Sequence, residues 1–141
     1  MQDEPRAFER DTLIRFRHCD PAGIVFYPQY FVLFNELVED WFNEGLRIDF
    51  ARFHTEQHLG VPMAHVECDF LAPSKVGDVL RFRLAVKQIG TTSFTLAVQA
   101  EKDGGVRVRA TLVLVLASLT ARRPVPIPSE MKRKLEHFVA Q

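Results

Sequence analysis

Residues 28–44 constrain this chain more than any other stretch. Tyr30, Leu33, Phe34, Leu37, Val38 and Trp41 recur at i, i+3, i+4 and i+7, the spacing of one apolar helix face. Phe31 and Phe42 widen the stripe, while Asn35, Glu36, Glu39, Asp40 and Asn43 gather on the other side. Pro28 suits a first helical turn and Gly45 a stop just beyond the last. Such a helix is about 25 Å long at about 1.5 Å per residue. An apolar face that wide must be covered by something else in the fold.

The rest of the sequence supplies the cover. Strand alternation runs through Thr12–His18, Met63–Leu71, Val79–Ile89, Phe94–Lys102 and Val106–Thr120, with side chains pointing alternately to opposite faces. Leu80, Phe82, Leu84 and Val86 oppose Arg81, Arg83 and Lys87. Phe94, Leu96, Val98 and Ala100 oppose Thr95, Gln99 and Glu101. Ala64, Val66, Cys68 and Phe70 oppose His65, Glu67 and Asp69. Gly90-Thr91 and Asp103-Gly104-Gly105 read as hairpin turns, so the later strands form an antiparallel meander. A shorter helix is predicted over Asp49–His58 and a terminal one over residues 128–141, with Ser129 as its N-cap. Residues 1–10 are polar and expected to fray. The fold class is α+β, an antiparallel sheet wrapped around one long helix, in a single domain spanning residues 1–141. Thr111 to Leu119 is apolar on both faces, so either a second subunit or the C-terminal segment is expected to cover its outer face.

Composition excludes several classes. Lys plus Arg and Asp plus Glu are 18 each, for a net charge of zero, which argues against a general nucleic-acid binder. No apolar run approaches the roughly 20 residues of a membrane span. No apolar segment follows Met1-Gln2-Asp3-Glu4-Pro5, and the two cysteines, Cys19 and Cys68, suit a reducing compartment. A cytoplasmic protein is the expectation.

The chemistry concentrates in His18-Cys19-Asp20-Pro21-Ala22-Gly23-Ile24-Val25-Phe26-Tyr27-Pro28-Gln29-Tyr30. This run places a carboxylate after a strand, then a glycine turn, then a helix start with its unpaired N–H groups and partial positive charge. Gly23 allows close backbone approach. Pro28 has no N–H, so Tyr27 carries the last free donor before the helix. A carboxylate beside oriented donors can attack a carbonyl, or activate water against it, while the donors polarise its oxygen. The bland alternative is a strand–loop–helix connection with Asp20 as a turn residue.

Phe16 to Tyr30 resembles the active-site segment of the 4-hydroxybenzoyl-CoA thioesterase family, within the hotdog-fold superfamily. Cys-Asp-Pro-Ala-Gly-Ile-Val is similar to its Pseudomonas-type branch, and the element order agrees over nearly the whole chain. The resemblance implies a hotdog fold, a homodimer with sites at the subunit interface or a homotetramer of two dimers, and hydrolysis of acyl- or aroyl-CoA with no cofactor. It carries the catalytic carboxylate to Asp20, the oxyanion-donating N–H to Tyr27 and the loop glycine to Gly23. His18, Phe26, Tyr30 and Phe34 become expected substrate contacts, with Phe31 and Trp41 also in the wall. For the CoA phosphates it leaves Lys75, Lys87, Arg107, Arg122 and Arg123 as candidates, because the expected turn reads only Gly90-Thr91-Thr92-Ser93.

Other residues carry weaker signals. Cys19 alternates with His18 and Asp20 and reads as small apolar packing. His54 and His58 are four apart, but Glu56 is one position late for a zinc-protease helix and no third ligand is evident; no metal is predicted. Glu36, Glu39 and Glu44 are the alternative carboxylates, since another hotdog branch places its base on the central helix. The competing functions are a hotdog hydratase or dehydratase and a non-catalytic acyl-CoA binding module.

Overall fold

The structure is a computed structural model that describes residues 7–139. A five-stranded antiparallel sheet has the order β1-β4-β5-β6-β3, where β1 is Phe8–Leu13, β3 Met63–Phe70, β4 Val79–Ile89, β5 Ser93–Lys102 and β6 Gly105–Val115. Helix α1, Pro28–Asp40, lies in its concave face. Tyr30, Leu33, Phe34, Leu37 and Val38 of α1 are buried together with Leu80, Phe82, Leu84, Val86, Phe94, Leu96, Val98, Ala100, Val108, Ala110, Leu112 and Leu114 of the sheet. The expected stripe and the expected strand faces meet in one core. The sheet-around-helix arrangement follows from those two periods, since each apolar face covers the other.

The register shows why the alternation works. Leu84 pairs with Val98, Val98 with Ala110, and Ala110 with Cys68, so one inward row crosses four strands. The β5–β6 hairpin turns on Asp103 (φ 53°) and Gly104 (φ 78°), the two left-handed residues that a tight hairpin needs.

Several expectations are corrected. The strand expected over Thr12–His18 ends at Leu13, and Phe16–His18 is a 3₁₀ turn. It begins earlier than expected, because Phe8 packs against the core and Arg10 pairs with Asp40 and Glu44 of the helix. Phe8–Arg10 are therefore strand rather than frayed end; residues 1–6 lie outside the described residues. The long helix does not stop at Gly45. Its last stretch, Trp41–Leu46, widens into a π turn, and Arg47 in the left-handed region (φ 59°) ends it. Gly45 has a packing reason instead: a Cβ there would stand 2.7 Å from Trp41 Cδ1. The second helix, α2, is Phe50–Thr55, capped by the Asp49 carboxylate on the Arg52 N–H. The last strand breaks at Leu116. Ala117–Ser118 (β7) peels off to pair with Leu59–Gly60 (β2) and Arg123–Pro124 (β8) in a small second sheet.

The C-terminal helix α3, Ser129–Glu136, does not cover the outer face of β6. Met131 and Leu135 point into the central core, and the residues after it take the place that β1 leaves vacant along β4. Val139 bridges Val86, whose N–H donates to the Phe138 carbonyl at 2.8 Å. No helix among the described residues is long and apolar enough to cross a membrane.

Candidate active site

The turn that bears Asp20 is built by local chemistry. Gly23 N–H donates to the Asp20 carbonyl at 2.9 Å, closing a four-residue turn with Pro21 at the position that favours its fixed φ. Ala22 N–H donates to Asp20 Oδ1 at 2.9 Å, the side-chain turn that aspartate makes readily. Gly23 sits at φ 80°, where a side chain would be strained. Asp20 N–H then returns to the Ile24 carbonyl, and Cys19 faces Val25. The result is a miniature hairpin with a half-buried carboxylate at its base. One carboxylate oxygen is held by the turn. Among the described residues the other makes no hydrogen bond or ion pair.

The hairpin leads straight into α1. Phe26 N–H donates to the His18 carbonyl at 2.9 Å, Gln29 N–H to Phe26 and Tyr30 N–H to Tyr27. Pro28 has no N–H. Tyr27, already in helical conformation (φ −52°, ψ −35°), is left with an amide that meets no acceptor among the described residues. A free donor at the positive end of a helix suits developing negative charge.

Around this junction stand exposed aromatics. Phe26 is 48% exposed, Tyr27 58% and Phe70 47%, which is unusual for side chains of this size in three neighbouring positions. Tyr27 and Phe70 meet edge-on at 5.9 Å, and Phe70 touches Tyr30 at the same distance. Tyr30 itself is buried, its hydroxyl donating to Ser74 Oγ at 3.1 Å, and burial raises its pKa. Phe34 is fully buried against Tyr30 and Phe82. With Phe31, Asn35 and Met63–Val66 it underlies a groove of about 410 Å³ between α1 and β3. On β3, Val66 (39%) and Phe70 share the inward face with Leu112 and Val108 of β6, yet stay half exposed because α1 does not reach the sheet edge.

Other expected residues fall elsewhere. Trp41 packs at the opposite end of the helix against Phe42, Phe94 and Phe138, about 20 Å from Tyr27 at 1.5 Å per residue; it is core and not wall. His18 closes the 3₁₀ turn Phe16–His18 rather than continuing a strand. The His18 ring is 1% exposed, and its Nδ1 accepts the Arg15 N–H at 2.8 Å. Burial, with Arg17 and Arg15 outweighing Glu36, lowers its pKa, so the ring is neutral with its proton on Nε2. It lines a cleft of about 260 Å³ between β1 and α1 with Arg15, Arg17 and Glu36. Burial and the Asp20 charge raise the Cys19 thiol, and burial pushes Cys68 up to about 11, so neither is poised as a thiolate nucleophile. Glu44 is engaged by Arg10. Helix α2 ends at Thr55, and His58 lies beyond it at φ 53°, so His54 and His58 share no helix face.

Two features were not read from the sequence. Ser74 is a buried hydroxyl between Tyr30 and Arg107, and Phe70 joins the aromatic group only once β3 is laid beside the start of α1. Arg107, expected among the candidates for the CoA phosphates, is bound to the 71–78 loop. Lys75 stands at the bridge to Ile24.

A five-stranded sheet curled around one long helix places the chain in the hotdog class. The chain belongs to the thioesterase-like superfamily, which matches residues 14–135. It is 27% identical over 130 residues to the 1,4-dihydroxy-2-naphthoyl-CoA hydrolase of Nostoc punctiforme, covering 92% of this chain and 87% of that one. A solved gentisyl-coenzyme A thioesterase is 26% identical, with a TM-score of 0.81 over 92% of this chain and 99% of that chain. The 1,4-dihydroxy-2-naphthoyl-CoA thioesterase of Synechocystis superposes with a TM-score of 0.82 at 21% identity, over 92% of this chain and 96% of that chain, a likeness of fold.

Proposed function

We propose that this protein hydrolyses the thioester of an aromatic acyl-CoA, with Asp20 as the acting carboxylate and the Tyr27 N–H as oxyanion donor. The observation that carries the reading is the Tyr27 amide. It is an open donor at a helix start, separated from Asp20 by one tight hairpin. The thioester carbonyl oxygen would take the Tyr27 N–H. The free oxygen of Asp20 would attack the carbonyl carbon, or take a proton from the water that does. Either way the C–S bond breaks and the sulfur leaves as thiolate; after direct attack, water then opens the acyl anhydride on Asp20, releasing the acid and restoring the carboxylate. A thiol pKa near 8.5 makes that departure easy without a strong acid, and the spare set of groups at this site is sufficient. Gly23 holds the turn, and Phe26, Tyr27 and Phe70 supply faces and edges against which an aromatic acyl group can pack. Relatives named for hydroxynaphthoyl and gentisyl thioesters support an aromatic acyl group; 4-hydroxybenzoyl-CoA belongs on the same panel.

The working unit is an assembly of at least two copies. Support comes from β3, an eight-residue edge strand with Val66 and Phe70 half exposed beside the site. A second copy along that edge would cover them and wall the groove.

The test is thiol release from benzoyl-, 4-hydroxybenzoyl-, gentisyl-, hydroxynaphthoyl- and short-chain acyl-CoA, with wild type and Asp20→Asn side by side. The carboxamide oxygen in Asp20→Asn can still accept the Ala22 N–H, so the turn survives and only the charge is lost. The expected result is a preference for aromatic acyl groups and a fall in kcat of about 10²–10⁴-fold in the variant. Undiminished turnover in Asp20→Asn would refute the assignment and move the carboxylate to Glu36 or Glu39.

A further inference from the structure

Arg107 sits where β6 breaks step with β5. Ala100 pairs with Val108 and Glu101 with Val106, so Arg107 is the extra residue of a β-bulge. A bulge re-aims one side chain out of the alternation. The guanidinium reaches the loop between β3 and β4. Its Nη1 donates to the Pro73 carbonyl at 3.0 Å, Ser74 Oγ at 3.1 Å and Asp78 Oδ2 at 3.2 Å, two hydrogens shared over three acceptors. Its own carbonyl accepts the N–H groups of Leu71 and Ala72. The Arg107 and Asp78 side chains are only 20% and 15% exposed, so the pair is shielded from water and stronger than a surface contact.

What Arg107 grips in turn grips the hairpin that bears Asp20. The Ser74 carbonyl accepts Val25 N–H at 2.8 Å, and Val76 N–H donates to the Gly23 carbonyl at 3.1 Å. The Ser74 hydroxyl accepts Tyr30 on the first turn of α1. One serine therefore ties the hairpin that bears Asp20 to the helix start that bears the Tyr27 amide.

We propose that Arg107 is a positioning residue for the thioesterase reaction: by fixing Ser74 and the 71–78 loop it sets Asp20 against the Tyr27 N–H. The proposal rests on the reading of Asp20 given above. It also assigns Arg107 away from the CoA phosphates, which makes the two roles separable. A phosphate contact matters only for a thioester that carries the nucleotide; a positioning contact matters for any thioester.

The experiment compares benzoyl-CoA with benzoyl-N-acetylcysteamine, which lacks every phosphate, using wild type, Arg107→Ala, Arg107→Lys, Ser74→Ala and Asp20→Asn. Positioning predicts that Arg107→Ala lowers kcat by roughly 10- to 100-fold on both thioesters, with KM nearly unchanged. Arg107→Lys should recover part of the loss, and added guanidinium ion should partly restore Arg107→Ala. If Arg107→Ala melts below the assay temperature, Ser74→Ala removes only the shared hydroxyl and should show a smaller kcat loss, again equal on both substrates. A rise in KM confined to benzoyl-CoA, with kcat intact, would overturn the proposal in favour of a phosphate contact. Unchanged kinetics in Arg107→Ala and Ser74→Ala would overturn it too. Failure of the underlying reading has its own signature, full activity in Asp20→Asn, and takes the proposal with it.

Discussion

The two ends of α1 are finished in opposite ways. At the far end Trp41, Phe42 and Phe138 interlock edge to face, and Gly45 gives up its side chain so that Trp41 can lie against the backbone. The chain buries the rings at that end: Trp41 and Phe42 have no exposure. At the near end three large aromatics stand half out, an amide has no acceptor and a carboxylate oxygen has no partner among the described residues. Polar contacts through Ser74, Arg107 and Asp78 hold that end in place, where the far end adds the Arg10 pairs with Asp40 and Glu44 to its ring packing. One helix thus carries an end whose rings are buried and an end whose rings and polar groups stand open. Incompleteness that is rigidly held is the form a binding and reacting surface takes.

Breaking the far end should have the largest effect on stability and leave chemistry alone. Trp41→Ala removes a fully buried ring and should destabilise by about 3–5 kcal/mol, seen as a lower midpoint in urea, while kcat per folded molecule stays within twofold. A loss of kcat in the folded fraction would show that the two ends are not independent.

Two glycines sharpen the comparison. Gly45→Ala drives a methyl into Trp41 and should cost roughly 1–3 kcal/mol by overpacking, with kcat preserved. Gly23→Ala meets no atom within 4 Å, so its cost is only the left-handed backbone, about 1–2 kcal/mol. The same variant should nevertheless reduce kcat, because relief of that strain moves the Asp20 turn. Equal melting shifts with unequal kcat losses are the expected pattern; equal kcat losses would contradict it.

The smallest effect is a pH dependence beside the near end. His18 is buried neutral, with a pKa held below its ordinary value by burial. The unfolded chain therefore takes up a proton near pH 6.5 that the folded chain refuses. Stability contributed this way is complete above about pH 6.5 and falls as pH drops toward the folded pKa. Thermal melts from pH 7.5 to 5.5 should show wild type losing stability, and His18→Gln losing less. Parallel curves would mean that protonation is accommodated where the ring sits.

How much of this was legible in the sequence differs between the same two ends. The apolar stripe from Tyr30 to Trp41 and the alternation of Leu80–Val86 and Phe94–Ala100 are local periods, and the buried faces follow them residue by residue. The run from Asp20 to Tyr30 is local as well, and the tight turn, the left-handed Gly23 and the open Tyr27 amide all form within it. The features that escaped depend on partners far along the chain. Arg107 read as a candidate for the CoA phosphates because the bulge that turns it arises from the register between β5 and β6. Ser74 gained its place only when Tyr30 and Arg107 converged on it from 44 and 33 residues away. Trp41 looked like pocket wall because a helical stripe does not say which end of the helix stands open. The end of β1 at Leu13 and the departure of β7 at Ala117 are likewise set by what the neighbouring strands offer, not by the alternation itself.

The closing of β4 by two unrelated pieces of chain also limits growth. Along that flank β1 contributes six residues, with Glu9 and Asp11 bound to Arg81, and Val139 fills in farther along. A short, charged and interrupted margin is a poor template for another strand. The opposite margin, β3, is continuous over eight residues. A sheet with one receptive margin offers a second copy one place to pair, so strand-to-strand association through it would close in a pair rather than run on into a fibre.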